Sequence, residues 1–276
     1  MIHQPFRFAG SRGLPVEGDL RLPDDGGEAP LLVFVNGFLL TRDWGFYPYV
    51  ATRLAERGFA VVTYDVPSAG AVSPPEAATI SDELAELRTV VDGIAAGKVP
   101  GADRCLRESF GLIGHSKGGA VALLHARADR RARAIVTLAA FSTFDRFREA
   151  EAARIERDGF LEVPQPGSGR MVRIGRSFLH DLRREAERTS IEAAVRSLRV
   201  PLAFIHGEED HIVGVSESEA LYHWADKDRS RLIVIEKTGH TFGAVHPFTE
   251  TNRDLERLLG IFTSFFTEHL IAASRA

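Results

Sequence analysis

The sequence predicts an α/β fold in which a mostly parallel central sheet is flanked by helices. Short apolar runs rich in Val, Ile and Phe alternate with longer segments of helical periodicity, which is typical of strands joined by crossover helices. The runs lack polar alternation, as expected for strands that are covered on both faces. The predicted strands are Leu31–Asn36, Ala60–Asp65, Phe110–Gly114, Ala134–Ala139, Leu202–His206 and Leu232–Glu236.

Helices are predicted between these strands, and an antiparallel edge is predicted near the N-terminus. Ser81 begins a segment that resembles a capped helix start, and Gly97 provides a stop for the same helix. Phe6–Phe8 and Glu17–Leu22 are expected to pair as the antiparallel edge. The predicted helices are Pro48–Arg57, Ser81–Ala96, Ser116–Ala128, Ser216–Trp224 and Asn252–His269.

Composition excludes several classes of protein. The 276 residues are 44% hydrophobic and 26% charged, which is typical of a globular chain, and the formal net charge is −4. That charge gives no support for a nucleic-acid or anionic-membrane partner. The longest apolar stretch, Leu31–Val35, is far shorter than a bilayer-spanning helix, and Met1–Phe8 lacks the features of a secretory signal. We therefore expect a soluble cytoplasmic protein.

Residues 142–199 interrupt the alternation and predict a cap inserted after the sixth strand. Helical segments surround two short extended runs, and the Pro/Gly-rich connection Pro164–Gly169 predicts a hairpin between them. We expect residues 1–141 and 200–276 to form the core and this insertion to serve substrate binding, because long excursions at strand ends often carry binding residues. The alternative is a solvated helical layer without a role in substrate choice. The predicted segments are helices Phe144–Arg157, Phe178–Arg188 and Ile191–Leu198 and strands Phe160–Val163 and Arg170–Arg173.

The pattern Gly114-His115-Ser116-Lys117-Gly118 follows an apolar strand and precedes a helix. A nucleophilic serine on a sharp strand-to-helix turn needs small residues two positions to either side, because larger side chains would clash there. The pattern alone is weak evidence, but its position makes it specific. Ser116 is the predicted nucleophile, and a simple helix cap is the alternative.

A serine nucleophile needs a base, and the base needs a partner that fixes its tautomer. Asp210 follows one predicted strand, and His240 follows the next. Because the carboxyl ends of parallel strands meet at one edge of a sheet, Ser116, Asp210 and His240 are expected to converge there. Alternative acids are Glu208, Glu209 and Asp145, and the alternative base is His246.

The other histidines show no spacing that predicts a metal site. His115 and His206 are expected to be structural, because one lies in the tight turn and the other at a strand end. Cys105 is the only cysteine, which excludes an internal disulfide and a cysteine-based metal cluster. We expect neither a metal nor a cofactor. The histidines without a ligand pattern are His3, His125, His180, His211, His223 and His269.

Acyl transfer also needs two backbone N–H groups for the developing oxyanion. One is expected from Lys117, the residue after the nucleophile, and the other from Phe38 in the loop after the strand at Leu31–Val35. Gly37 would let the backbone turn so that the Phe38 N–H points inward. The alternative is an ordinary strand-to-helix turn.

Together these segments resemble the α/β-hydrolase superfamily, and within it the bacterial serine hydrolases of the dienelactone-hydrolase and feruloyl-esterase-like group. The resemblance implies Ser116 as nucleophile, Asp210 as acid and His240 as base. It also implies oxyanion donors at Phe38 and Lys117, and a small cap that covers the acyl or phenolic part of the substrate. The matching pieces are Asn36-Gly37-Phe38 with Asp43-Trp44, Gly114–Gly119, His206–Asp210 and Gly239–Phe242.

Three positions depart from these relatives. Asn36 stands where many of them have His, and the nucleophile is Ser rather than the Cys of dienelactone hydrolases proper. The segment Tyr64–Gly70 lacks the Arg-Gly-His-Gly run that is usual at that strand end.

The predicted function is hydrolysis of a carboxylic ester with a small to medium acyl or aryl group, through an acyl-enzyme. A thioesterase, peptidase or C–C hydrolase on the same scaffold is an alternative, as is a non-catalytic ligand-binding protein. The partner is a small-molecule ester, and the oligomeric state stays open, with a homodimer among the options. Arg170, Arg173 and Arg176 either bind a substrate carboxylate or are solvated charges of the cap. Candidate pocket walls are Leu39, Phe141, Phe144 and Phe178.

Overall fold

An eight-stranded, mostly parallel sheet organises the computed structural model, which describes residues 1–66, 79–147, 149–165 and 170–271. Its strand order is β1-β2-β4-β3-β5-β6-β9-β10. β1 pairs antiparallel with β2, β2 pairs antiparallel with β4, and the remaining neighbours are parallel. The strands of this sheet are β1 Ile2–Ala9, β2 Pro15–Leu22, β3 Ala29–Val35, β4 Ala60–Asp65, β5 Cys105–His115, β6 Ala132–Leu138, β9 Leu202–Gly207 and β10 Ser230–Ile235.

Helices cover both faces of the sheet and bury two apolar layers against it. α1 and α8 pack on one face, and α2, α3, α6 and α7 pack on the other. All seven residues of β3 and all six of β9 are buried, which explains their continuous apolar sequences. The predicted fold class is therefore confirmed. The helices of these layers are α1 Tyr47–Ala55, α2 Ile80–Ala95, α3 Lys117–Ala128, α6 Ile191–Ser197, α7 Val215–Trp224 and α8 Arg253–Phe266, with a short π-helix at Thr267–Ile271.

The start of α2 differs from the prediction. Thr79, rather than Ser81, caps the helix, because its side chain accepts a hydrogen bond from Asp82 N. The backbone N–H of Ser81 instead donates to Asp181 of a later helix, at 3.0 Å. The predicted stop agrees with the structure, in which Gly97 has a positive φ of 71° just after the helix.

A separate group of elements lies between β6 and β9. It contains α4 Glu149–Asp158, an antiparallel hairpin of β7 Phe160–Pro164 and β8 Met171–Gly175, and α5 Arg176–Arg184. The predicted hairpin is present, although residues 166–169 of its connection lie outside the described residues. The helix predicted from Phe144 begins only at Glu149, and Phe144 itself is buried in a non-helical segment. α6 joins the core layer, because Ile191, Ala194 and Val195 pack within it.

Across the residues that the structure describes, we found no helix long and apolar enough to cross a membrane.

Candidate active site

The carboxyl ends of four parallel strands bring the predicted site residues to one edge of the sheet. Phe38 follows β3, Ser116 follows β5, Asp210 follows β9 and His240 follows β10. Parallel strands bring these ends together because every crossover returns the chain to the same starting edge. The four loops therefore form one candidate site.

Ser116 occupies a strained turn between β5 and α3. Its backbone angles, φ of 56° and ψ of −124°, lie in a region that residues other than glycine rarely adopt. Its N–H donates a hydrogen bond to Leu138 O at 2.7 Å. A Cβ on Gly114 would lie 2.5 Å from Gly118 O, and one on Gly118 would lie 2.2 Å from Val35 O. The turn therefore depends on glycine at both positions, as the sequence pattern requires.

Asp210 and His240 form a close pair. His240 Nδ1 lies 2.7 Å from Asp210 Oδ2. Asp210 Oδ1 accepts hydrogen bonds from the N–H groups of Ile212 and Val213, at 2.9 Å each. Burial alone would raise the pKa of Asp210, but the hydrogen bonds from His206, His240 and Val213 outweigh it and hold the pKa well below its usual range. Asp210 is thus an anion that fixes the proton of His240 on Nδ1.

His206 makes a second contact with the Asp210 carboxylate. Its Nε2 lies 2.8 Å from Val213 O and 3.2 Å from Asp210 Oδ2, and its Nδ1 lies 2.7 Å from Ser218 Oγ. Both neighbours of Nε2 are acceptors, so this nitrogen carries the proton and Nδ1 accepts from the serine hydroxyl. The side chain is fully buried, in keeping with the structural role expected for it.

His115 joins the Ser116 turn to the loop that carries His240. Its Nε2 lies 3.1 Å from the backbone oxygen of His240, and the two imidazole centroids are 4.9 Å apart. Among the described residues, the Ser116 hydroxyl does not hydrogen-bond His240 Nε2. Such bonds are often long in unliganded enzymes and tighten when substrate binds.

The loop after β3 is shaped differently from the expectation. Gly37 N donates to Tyr47 OH at 3.1 Å, and a Cβ at Gly37 would lie 2.9 Å from Leu40 and 3.3 Å from His115 Nδ1. Gly37 therefore lies in a crowded position and has no unusual φ, and the left-handed residue of the loop is Leu39, with φ of 57°. Among the described residues, Phe38 N–H and Lys117 N–H have no hydrogen-bond acceptor.

A buried ion pair that was not predicted from the sequence lies beside this loop. Lys117 Nζ contacts Glu83 Oε1, and the two side chains are only 6% and 7% exposed. The same ammonium lies 5.2 Å from the centroid of the Phe38 ring. Glu83 could have been found from its spacing, because it lies three residues after Ile80 and four before Leu87, on the apolar face of α2.

The alternative acids and base make other contacts. Glu208 Oε2 accepts from Lys237 N at 3.2 Å. Glu209 is exposed, and so is Asp145, whose backbone N–H bonds to a neighbouring threonine hydroxyl. His246 accepts from Gly45 N at 3.0 Å and stacks on Trp44.

The candidate pocket walls are dispersed. Leu39 lies in the loop after β3, and its backbone oxygen accepts from Gln165 Nε2 at 3.0 Å. The Arg146 guanidinium lies 4.2 Å from the Phe141 ring centroid. Phe144 lines a cavity of about 570 Å³ between the loop after β6, α5 and α6, and Phe178 packs edge-on against Phe147 at the side of α5.

The arginines of the insertion contact their neighbours. Arg173 pairs with Glu162 at 3.3 Å, and Arg176 donates to two backbone oxygens of α4. These contacts fit solvated or structural charges better than a carboxylate site. The described residues hold no group of three or more His, Cys, Asp or Glu side chains that could bind a metal ion.

Comparison with known proteins agrees with this architecture. The family model described as "Alpha/beta hydrolase family" matches residues 32–254, so the chain belongs to the α/β-hydrolase family. No curated protein matches the chain in sequence.

Three solved structures illustrate the similarity of fold. The esterase domain of a Rhodothermus marinus protein is 22% identical, with 98% of this chain and 99% of that chain covered and a TM-score of 0.69. Est1E from Butyrivibrio proteoclasticus, solved with ferulic acid bound, is 20% identical, with coverage of 96% and 99% and a TM-score of 0.71. A dienelactone hydrolase from Anabaena variabilis is 17% identical, with coverage of 97% and 99% and a TM-score of 0.64. At these identities the likeness shows the fold.

Proposed function

We propose that the protein is a serine hydrolase that cleaves a carboxylic ester of a small to medium acyl or aryl substrate. The observation that carries the proposal is the 2.7 Å contact between His240 Nδ1 and Asp210 Oδ2, at the same edge of the sheet as the strained Ser116 turn. An ester is favoured over other acyl bonds because similar folds include an esterase domain and a protein solved with ferulic acid.

The proposed reaction is a double displacement. His240 Nε2 takes the proton of Ser116, the serine oxygen attacks the ester carbonyl, and the imidazolium is stabilised by the Asp210 anion. The oxyanion is bound by the N–H groups of Phe38 and Lys117. The imidazolium then protonates the departing alcohol, and His240 activates a water that hydrolyses the acyl-enzyme.

The inserted residues 142–199 act, in this proposal, as a cap over the site. Support comes from the hydrogen bond between Gln165 Nε2 and Leu39 O, which joins the end of β7 to the loop that carries Phe38. Substrate selection would then depend on the hairpin as well as on the core.

The experiment combines covalent labelling with a substrate series. Purified protein is treated with a fluorophosphonate and assayed on p-nitrophenyl esters from acetate to palmitate and on methyl hydroxycinnamates, with Ser116→Ala as the control. We expect labelling and a chain-length optimum, both abolished by the substitution.

Labelling without ester turnover would redirect the assignment to a thioester, peptide or carbon–carbon bond. Folded wild-type protein that neither labels nor turns over any ester would contradict the serine-hydrolase proposal and favour a binding role.

A further inference from the structure

Three consecutive hydrogen bonds join the loops of the candidate site to one another. Gly37 N lies 3.1 Å from Tyr47 OH, Tyr47 OH lies 2.7 Å from His115 Nδ1, and His115 Nε2 lies 3.1 Å from His240 O. None of these bonds involves Asp210. This series of hydrogen bonds therefore reaches His240 independently of the bond between His240 and Asp210.

The groups at the two ends of this hydrogen-bond series determine which atom donates in each bond. The backbone oxygen of His240 can only accept, so His115 Nε2 carries the proton and Nδ1 accepts from the Tyr47 hydroxyl. The Tyr47 oxygen is then free to accept from Gly37 N. With the opposite tautomer of His115, two acceptors would face each other across 3.1 Å and the hydrogen bond to His240 O would be lost.

Burial keeps Tyr47 and His115 each in one protonation state. Tyr47 and His115 are both 0% exposed. Burial, followed by the nearby His240, lowers the pKa of His115 to about 3, and burial raises the pKa of Tyr47 well above its ordinary value. Trp44 and Phe46 pack on the His115 ring and exclude water from it. The hydrogen-bond series is thus neutral and fixed across the pH range in which hydrolases work.

The three segments that the hydrogen-bond series joins are those that carry the catalytic groups. Gly37 precedes the oxyanion donor Phe38, His115 precedes Ser116, and the acceptor is the backbone of His240 itself. We propose that Tyr47 and His115 are positioning residues that hold the oxyanion loop, the nucleophile turn and the base in register for the reaction. This inference rests on the proposed function, because it assigns these two side chains a role in that same site.

The first test replaces the Tyr47 hydroxyl. In Tyr47→Phe, both Gly37 N and His115 Nδ1 lose their partner, so we expect kcat to fall about tenfold to a hundredfold while KM stays within about twofold. The rate is expressed per active site titrated with a fluorophosphonate, so that loss of folded protein does not enter it. Tyr49→Phe is the matched control, because Tyr49 lies on the same helix and its hydroxyl bonds to exposed Glu256.

A second pair of variants separates hydrogen bonding from packing. His115→Gln offers an amide oxygen toward Tyr47 and an N–H toward His240, so it is expected to retain more kcat than His115→Phe, which offers neither. The inference is overturned if Tyr47→Phe keeps the wild-type kcat per titrated site. It is equally overturned if His115→Gln and His115→Phe lose the same amount.

An NMR measurement of the His115 tautomer tests the inference without depending on enzyme activity. In protein with ¹⁵N-labelled histidine, NMR should show His115 as the Nε2–H tautomer with a slowly exchanging ring proton, and Tyr47→Phe should accelerate that exchange. An Nδ1–H tautomer overturns the inference whether or not esters are hydrolysed. If the expected tautomer is seen but the wild type neither labels nor turns over esters, the proposed function fails while the hydrogen-bond series stands.

Discussion

The buried pair of Lys117 and Glu83 gives the sharpest stability prediction. Glu83→Gln keeps the shape of the side chain but leaves the Lys117 ammonium buried, at 6% exposure, without its counter-charge. Removing one partner of a buried ion pair costs about 3–5 kcal/mol, because the remaining charge has been taken out of water without compensation. The free energy of unfolding is expected to fall by that amount.

The expected change in Tm follows from the size of the chain. Unfolding entropy is about 2.1 cal/mol/K per residue, so 276 residues give about 0.58 kcal/mol/K. The loss therefore corresponds to a decrease in Tm of about 5–9 °C, measured by circular dichroism at fixed protein concentration.

Two controls make the result interpretable. Glu192→Gln breaks an exposed pair with Arg196, in which the side chains are 48% and 54% exposed, and should lower Tm by less than about 2 °C. The double variant Glu83→Leu with Lys117→Met removes both charges and should stay near the wild type. If Glu83→Gln shifts Tm no more than Glu192→Gln does, the reasoning from desolvation is refuted.

Three further predictions concern single positions. The thiol of Cys105, whose pKa burial raises to about 12, should not react with a thiol reagent such as DTNB until the protein is unfolded, and rapid labelling of the native protein would contradict this. Gly118→Ala should abolish soluble folded protein because its Cβ would lie 2.2 Å from Val35 O, whereas Gly260→Ala in an open part of α8 should raise stability by about 0.5–1 kcal/mol in urea unfolding. His115, with a folded pKa of about 3 against about 6.5 when unfolded, should make stability fall by up to about 1.4 kcal/mol per pH unit as the pH decreases from 6.5 toward 3. That contribution arises because only the unfolded chain takes up the proton. His115→Gln should lose it and show a shallower pH dependence than the wild type, and an unchanged slope would show that His115 does not contribute to it.

The sequence predicted the strands of the core well because burial on both faces leaves an uninterrupted apolar run. It failed where a strand extends past its covering helices. β5 begins at Cys105 rather than Phe110, and its first part contains exposed Arg107 and Glu108, so no apolar run marks it. The helix expected from Phe144 starts later, because the preceding loop is held by Ser142, whose N–H and hydroxyl donate to Glu217 of α7.

The sequence also predicted which loops meet at the candidate site, since parallel strands place their carboxyl ends together. Spacing marks Glu83 as a residue of the apolar face of α2, but the sequence could not predict which residue would be its partner. Glu83 and Tyr47 lie on helices that are distant in sequence from Lys117 and His115, and only the folded chain brings each pair into contact. Gly37 was expected to let the backbone turn toward Phe38, but its φ is not unusual, and the closeness of Tyr47 and His115 is what a side chain there would disturb.

The polypeptide leaves the sheet after β6, forms the inserted elements and re-enters the sheet at the adjacent strand, β9. β6 and β9 are parallel neighbours, with Ile135 paired to Leu202, so the chain re-enters the sheet beside the strand that it left. Residues from α4 to β8 can therefore be exchanged or lengthened without altering strand order, whereas α5 and α6 must stay because both pack against the core. Under the proposed function the inserted segment would be an exchangeable recognition module, and we expect chimeras joined at Glu149 and Gly175 to change substrate preference while Ser116, Asp210 and His240 stay the same.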